Sequence, residues 1–408
     1  MKKILALVLA LCMVFALAAC GQEAAPAAET KPASEVTVDV DVEITELPCV
    51  AMITDYGDIT DQSFNQTTYE ACKEYCEAND LEFSYYKPAG DSTADRVAMI
   101  EMAIDDGFNI LVMPGYAFAG AIVEAAAEYP EVKFVALDVA KGDLLEAGVG
   151  AAGEAYDYNP DNWDLAKYVD MSNVYCMVYQ EELCGYMAGY AAVKLGYTQL
   201  GFLGGMAVPA VVRYGYGFVQ GADAAAAELG TEIGIKYAYA NQFFGDADIT
   251  AAMDTWYGAG TEIVFACGGG VYTSAAEAAA KVDGKVIGVD TDQSGIIDGG
   301  YGEGMTVTSA MKGLAASTKS ALSTIIEQDA WDTIAGKIDT LGLVSGDDPE
   351  ANFVQIPMES TQWSDGFTKD DYAALVAAMF DGSLTVSNDI SAMPAVTAST
   401  VEDLGNLK

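Results

Sequence analysis

From Cys49 onward, short apolar runs alternate with longer amphipathic ones. The short runs predict strands at Val50–Thr54, Glu82–Tyr86, Ile110–Met113, Lys133–Leu137 and Val174–Tyr179. Helical spacing of apolar residues predicts helices between them at Gln62–Ala78, Thr93–Asp106 and Ala119–Tyr129, while Gly142 to Asp170 is less regular. The alternation then restarts. Helices are predicted at Glu181–Leu195, Val211–Leu229, Ile249–Tyr257 and Tyr272–Lys281. Strands are predicted at Leu200–Leu203, Ile233–Tyr239, Ile263–Ala266 and Val286–Val289. A further strand at Met305–Thr308 and helix at Lys312–Ile326 follow, then strand-like pieces at Leu341–Val344 and Phe353–Ile356 and a helix at Lys369–Phe380. Repeated βα alternation predicts an α/β fold of parallel sheets with helices on both faces, here in two similar lobes.

The first residues carry a different pattern. Lys2 and Lys3 precede an apolar run from Ile4 to Ala19, and small residues lead into Cys20 and Gly21. A basic start, an apolar core and small residues at the cut describe an export signal. The run is short for a membrane span of roughly 20 residues. A cysteine directly after Leu17-Ala18-Ala19 resembles the bacterial lipobox, in which the thiol is acylated; the plain alternative is an ordinary signal with a chance cysteine. The expectation is a signal peptide over 1–19, lipidation at Cys20 and a flexible tether over 20–47, placing the protein on the extracytoplasmic face of the cell membrane.

Composition narrows the chemistry. The 408 residues contain no histidine, which removes Ser-His-Asp and Cys-His catalysis in their usual forms and the zinc sites that need imidazole. No nucleophile motif stands out, so a non-enzymatic protein without a cofactor is expected. The formal net charge of −42 repels nucleic acid and favours a neutral or cationic guest over a polyanion. Cys49, Cys72, Cys76, Cys176, Cys184 and Cys267 fit no metal spacing and read as mostly core thiols. Asp55, Asp58 and Asp61 lack the spacing and terminal glutamate of a calcium loop.

In open parallel sheets, ligands sit at the carboxyl ends of the strands. The residues there are therefore the candidates. Asp55 ends the first strand and either binds a ligand or braces the cleft. Phe64 and Asn65 open the first helix, with core packing and helix capping as their plain alternatives. Tyr116 follows the third strand, and Phe243-Phe244-Gly245-Asp246 follows Ile233–Tyr239. Gly268 and Gly269 let backbone approach a ligand closely. Asp290 ends a strand, and Lys312 opens the predicted helix after Met305–Thr308; capping and a solvated helix lysine are their alternatives.

Three segments, Asp61-Gln62-Ser63-Phe64-Asn65-Gln66, Gly201-Phe202-Leu203-Gly204-Gly205-Met206 and Ile287-Gly288-Val289-Asp290-Thr291-Asp292-Gln293-Ser294, resemble the basic membrane protein family of ABC-transporter solute-binding lipoproteins. Met187-Ala188-Gly189-Tyr190 and Thr308-Ser309-Ala310-Met311-Lys312 support it, and the resemblance covers roughly 48–390. It implies a type I periplasmic-binding fold: two Rossmann-like lobes joined by a hinge. It also implies a purine nucleoside as ligand, and an ABC permease and ATPase as partners of a monomeric protein. By resemblance Phe64 stacks on one face of the base and Phe244, or Phe243, on the other. Asn65 pairs with the purine edge, Asp290 holds the ribose diol, and Lys312 contacts the sugar. Riboflavin, another heterocycle or a sugar in the same cleft is the alternative guest, and a ligand-sensing receptor subunit the alternative role. Glu154 to Lys167 and the Tyr56-Gly57 turn depart from the family's pattern. The expected lobes are 48–175 with about 291–330, and 176–290 with about 331–390, followed by a C-terminal tail over 391–408.

Overall fold

A computed structural model describes residues 47–408. The expected signal peptide, Cys20 and the tether up to residue 46 lie outside the described residues. The first sheet contains β1 (Cys49–Ile53), β2 (Glu82–Tyr86), β3 (Ile110–Pro114), β4 (Lys133–Leu137), β5 (Val174–Tyr179) and β11 (Ile338–Leu341), in the order β11-β5-β4-β3-β1-β2, all parallel. The second contains β6 (Gln199–Gly204), β7 (Ile233–Tyr239), β8 (Ile263–Cys267), β9 (Lys285–Asp290), β10 (Thr306–Lys312), β12 (Val354–Gln355) and β13 (Ser399–Asn406), in the order β12-β10-β9-β8-β6-β7-β13. Only the short β12 runs antiparallel to its neighbour among the described pairs. The order β2-β1-β3-β4-β5 repeats as β7-β6-β8-β9-β10, so the two lobes share one winding, as the alternation in sequence predicts.

The apolar runs explain the layers. β3 and β8 are buried at every residue, as parallel strands covered on both faces must be. β2 lies at an edge and is nowhere fully buried. Helices α1 (Phe64–Ala78), α2 (Thr93–Asp105), α3 (Phe118–Ala125) and α4 (Lys141–Ala151) belong to the first lobe. The second holds α5 (Glu181–Lys194), α6 (Pro209–Leu229), α7 (Ala247–Gly258), α8 (Tyr272–Ala279) and α9 (Ser294–Tyr301). Helix α10 (Leu314–Ile326) packs on α1, and α11 (Lys369–Phe380) closes the second lobe through Tyr372 and Val376. α5 and α6 touch backbone to backbone: a Cβ on Gly185 would stand 2.2 Å from the Tyr214 carbonyl oxygen.

The lobe limits differ from the expected ones. β5 joins the first sheet before the chain crosses at Gln180, so 176–179 belongs to the first lobe. β10 pairs with β9 in the second sheet, and only from α10 does the chain return to the first lobe, as far as β11. It crosses a third time between β11 and β12. The first two crossovers thus each follow the fifth strand of a lobe, β5 and β10, and the third follows β11, the sixth strand of the first sheet. The tail over 391–408 contains β13, an edge strand on β7. Its polar sequence, STVEDLGN, carries little of the apolar signal that marks inner strands. α4 lies in the stretch that read as irregular; its glycines at 142, 148 and 150 mask a helix whose Leu144, Leu145 and Val149 are core residues.

Candidate functional site

The carboxyl ends of both sets of strands face one cavity of about 380 Å³, within the range of small-molecule pockets. Asp55, Phe64, Asn65, Tyr116, Phe244, Gly268, Gly269, Asp290 and Lys312 all line it. Phe64, Asn65 and Tyr116 come from the first lobe, and Phe244, the glycines, Asp290 and Lys312 from the second.

At the deep end lies a charge cluster. Lys312 is the last residue of β10, not part of a helix as expected, and is 5% exposed. Its Nζ is 2.5 Å from Asp138 Oδ2, 3.6 Å from Glu181 Oε1 and 3.7 Å from Asp290 Oδ1. It also sits over the Phe64 ring, 4.7 Å from the centroid, with Tyr179 and Tyr214 at 5.4 and 5.7 Å. Burial opposes the charge on Lys312, but Asp138, Asp290 and Glu181 outweigh it and hold its pKa above the ordinary lysine value. Arg213 Nε donates to the other Glu181 oxygen at 2.7 Å. Burial pushes the Asp290 carboxyl upward, against Lys312 and the Ser63 hydroxyl. Asp290 Oδ2 accepts from Ser63 Oγ at 2.6 Å and Oδ1 from Tyr214 OH at 3.3 Å. Asp138 Oδ1 is buried with no partner among the described residues. Asp138 and Asp290 both have positive φ, 60° and 65°, a conformation that aspartate tolerates better than most residues.

At the start of α1, Asp61 and not Asn65 caps the helix. Asp61 accepts from the backbone N–H groups of Ser63, Asn65 and Gln66 at 2.9 to 3.0 Å, and from Asn65 Nδ2 at 3.2 Å. This leaves Asn65 Oδ1 as an unpartnered acceptor on a side chain 7% exposed. Asp55 braces its own loop: Oδ1 accepts from Tyr56 N and Gly57 N at 2.7 and 2.8 Å. Gly115, at φ 129°, leaves no room for a Cβ beside it, since one would stand 2.9 Å from Asp55 Oδ2. Arg96 Nε donates to the Asp55 carbonyl at 3.1 Å. The chain has only two arginines: Arg96 holds the cavity-lining Asp55, and Arg213 itself lines the cavity while holding Glu181 behind it.

The aromatic wall has two parts. Phe244 is 55% exposed at the mouth. Phe243 lies deeper, over Gly205 and Gly268, where an added Cβ on Gly205 would meet its ring at 2.5 Å. Across the mouth, the hydroxyls of Tyr56 and Tyr116 point at Met206 Sδ, at 3.9 and 4.0 Å. Six cavity-lining acids (Asp55, Asp58, Asp61, Asp138, Asp143, Asp290) stand against three bases (Lys87, Arg213, Lys312). The sequence marks Asp138 as a residue directly after a strand but gives it no role, and it does not single out Glu181, Arg213 or Tyr214. Asp138 follows β4 directly, and the scarcity of arginine marks Arg213; Glu181 and Tyr214 sit on helices whose inward face only the packing defines.

Twin parallel α/β lobes, linked by three crossovers and enclosing one cavity at their strand ends, define a solute-binding protein of the type I periplasmic-binding architecture. Solved structures share the fold. A solute-binding protein of an ABC transporter system from Aeropyrum pernix K1 superposes with TM-score 0.59 at 18% identity, covering 84% of this chain and 88% of that one. Its counterpart from Conexibacter woesei superposes with TM-score 0.59 at 20% identity, covering 84% and 99%. Residues 49–347 match the Bmp family, described as ABC transporter substrate-binding protein PnrA-like, and the chain belongs to that family. It is a family of substrate-binding proteins, not a class of enzymes.

Among curated relatives, the chain is 29% identical to the ABC transporter nucleoside-binding protein BmpA of Lactococcus lactis, over 60% of this chain and 64% of that protein. It is 27% identical to the CD4+ T-cell-stimulating antigen of Listeria monocytogenes, over 60% and 63%. Both matches span less than two thirds of the relative. Basic membrane protein B of Borreliella afzelii is 26% identical over 73% of this chain and 79% of its own length.

Proposed function

We propose that this protein captures a purine nucleoside between its lobes and delivers it to an ABC permease and its ATPase. The observation that carries the reading is the meeting, on one cavity, of Phe64 and Phe244 from opposite lobes with the buried Asp138–Lys312–Asp290 cluster. In this reading the base lies between Phe64 and Phe244, with Phe243 backing the loop. Asn65 Oδ1 accepts an N–H of the base edge. Asp290, joined by the unpartnered oxygen of Asp138, accepts the sugar hydroxyls, and Lys312 donates to a sugar oxygen. A carboxylate offers about four acceptor sites, so the Ser63 and Tyr214 bonds leave Asp290 capacity for a ligand. The positive φ of Gly268 and Gly269 brings backbone close to the ring system without side-chain obstruction.

The excess of acids on the cavity wall disfavours phosphates, so a nucleoside fits better than a nucleotide. No step of chemistry is assigned: the lobes close on the ligand, exclude water and present the closed form to the permease. The named nucleoside binding of the Lactococcus relative supports the ligand class. Lipidation of Cys20 anchors the protein to the extracytoplasmic face of the membrane.

A thermal-shift panel tests this. Inosine, guanosine or adenosine is expected to raise the melting temperature, and ribose alone is not. If all three nucleosides are inert while riboflavin or a sugar stabilises, the ligand assignment is wrong and the fold serves another guest.

A further inference from the structure

The matched family region ends at residue 347, yet the chain continues along the second lobe and ends beside the cleft. β13 pairs in parallel with β7, with Ser399 opposite Ile233 and Asn406 opposite Tyr239. Parallel pairing fixes the direction: the end of β13 lies at the same edge as the end of β7, where a ligand is held. β7 leads directly into Asn241-Gln242-Phe243-Phe244, the loop that carries the aromatic wall.

Both ends of the segment are tied down. At its start, Asp223 of α6 accepts from the backbone N–H groups of Thr397, Ala398 and Ser399 at 2.8 to 3.0 Å, and from the Ser399 hydroxyl at 2.5 Å. At its end, Leu407 N donates to the Tyr239 carbonyl at 2.8 Å, and Lys408 Nζ is paired with Asp246 and stands 3.4 Å from Gln242 Oε1. Those two partners bracket the phenylalanines. Gln242 Nε2 donates to the Phe244 carbonyl at 2.8 Å and to Asp246 Oδ2 at 2.9 Å, and Asp246 Oδ1 caps α7. Lys408 therefore closes a ring of polar contacts around the turn that presents Phe244. A 55% exposed aromatic on a short loop has little packing of its own to hold it.

We propose that residues 397–408 form a strap whose terminal contact, Lys408 to Asp246 and Gln242, is a positioning device for the Phe243–Phe244 loop. Its consequence for ligand binding rests on the nucleoside reading above; the fixing of the loop does not.

The test compares the full chain with its Lys408→Met variant, which removes the cation and keeps β13. Hydrogen exchange is measured without ligand. Amides of 242–246 are expected to exchange roughly two- to fivefold faster in the variant, the scale an exposed ion pair supplies, with first-lobe peptides unchanged. Inosine affinity is measured in both backgrounds and again with Phe244→Ala. Lys408→Met is expected to weaken inosine by a similar factor, and to add nothing once Phe244 is gone. Unchanged loop exchange overturns the strap. Faster exchange with unaltered inosine affinity overturns its role in binding. Faster exchange in a protein that binds none of inosine, guanosine and adenosine upholds the strap and overturns the nucleoside reading instead.

Discussion

Ser63 donates from Oγ to Oδ2 of Asp290 at 2.6 Å, and 227 residues of chain separate the two. The bond joins the start of α1 in the first lobe to the end of β9 in the second. Gln293 repeats the connection, its Nε2 donating to the Gln62 carbonyl at 3.0 Å. Because Asp290 is 6% exposed, its carboxylate depends on protein donors. Replacing Ser63 by alanine is expected to lower the unfolding free energy in urea by about 1.5–3 kcal/mol, the scale of a hydrogen bond to a charged group. Ser63→Thr keeps the hydroxyl and is expected to lose less.

Lys312 is the shared cation of three carboxylates, and Arg213 neutralises only Glu181 directly. Lys312→Met leaves Asp138 and Asp290 buried without it. Removing one partner of a buried pair costs about 3–5 kcal/mol, so the variant is expected to unfold at markedly lower denaturant and to bind no nucleoside. Chemical denaturation monitored by tryptophan fluorescence measures the first effect, and calorimetry the second.

Two aromatic truncations separate the walls of the cleft. Stacking of a base on an aromatic ring is worth about 1–3 kcal/mol by alanine substitution. Phe244→Ala is expected to weaken a purine nucleoside by that amount with little change in stability, since the ring is largely exposed. Phe64→Ala is expected to cost both affinity and stability, since its ring also packs against the Lys312 ammonium. Equal stability losses in the two variants would contradict the arrangement.

The alternating strands and helices were legible because buried parallel strands need continuous apolar runs; β2, β4, β5 and β7 begin and end where those runs do. The lobe to which each strand belongs was not legible. Nothing in the sequences of β10 and β11 names a lobe, and only pairing partners decide that one joins the second sheet and the other the first. The cleft residues were legible where they follow a strand or open a helix within a motif, as Phe64 and Asp290 do. Glu181 and Arg213 were not, because a charge on a helix gives no sign of facing inward until α5 and α6 are packed. The capping by Asp61, which takes the Asn65 amide N–H and leaves its oxygen unpartnered, is likewise a matter of local geometry among neighbouring polar residues.

Glu182 offers a pH test of the hinge region. It is 3% exposed, Oε2 has no partner among the described residues, and burial pushes its carboxyl from 4.5 up to about 7. A carboxyl that holds its proton more tightly when folded does not reduce stability below its unfolded pKa. Its destabilising effect grows as pH rises through the window from 4.5 to about 7 and is complete above it. Glu182→Gln is therefore expected to match the wild type near pH 4 and to melt at higher temperature at pH 8. Parallel melting profiles for the two proteins would exclude the assignment.

Calorimetric titration of the same protein with a purine ribonucleoside and its 2′-deoxy counterpart addresses the ligand and the acid cluster together. Asp290 and Asp138 are read as acceptors of sugar hydroxyls, and a lost charge-assisted bond is worth about 1.5–3 kcal/mol. Binding of the ribonucleoside, with the deoxy form weaker by roughly 10- to 100-fold, is the expected result. Equal affinity for both sugars, or no heat from either, would contradict it.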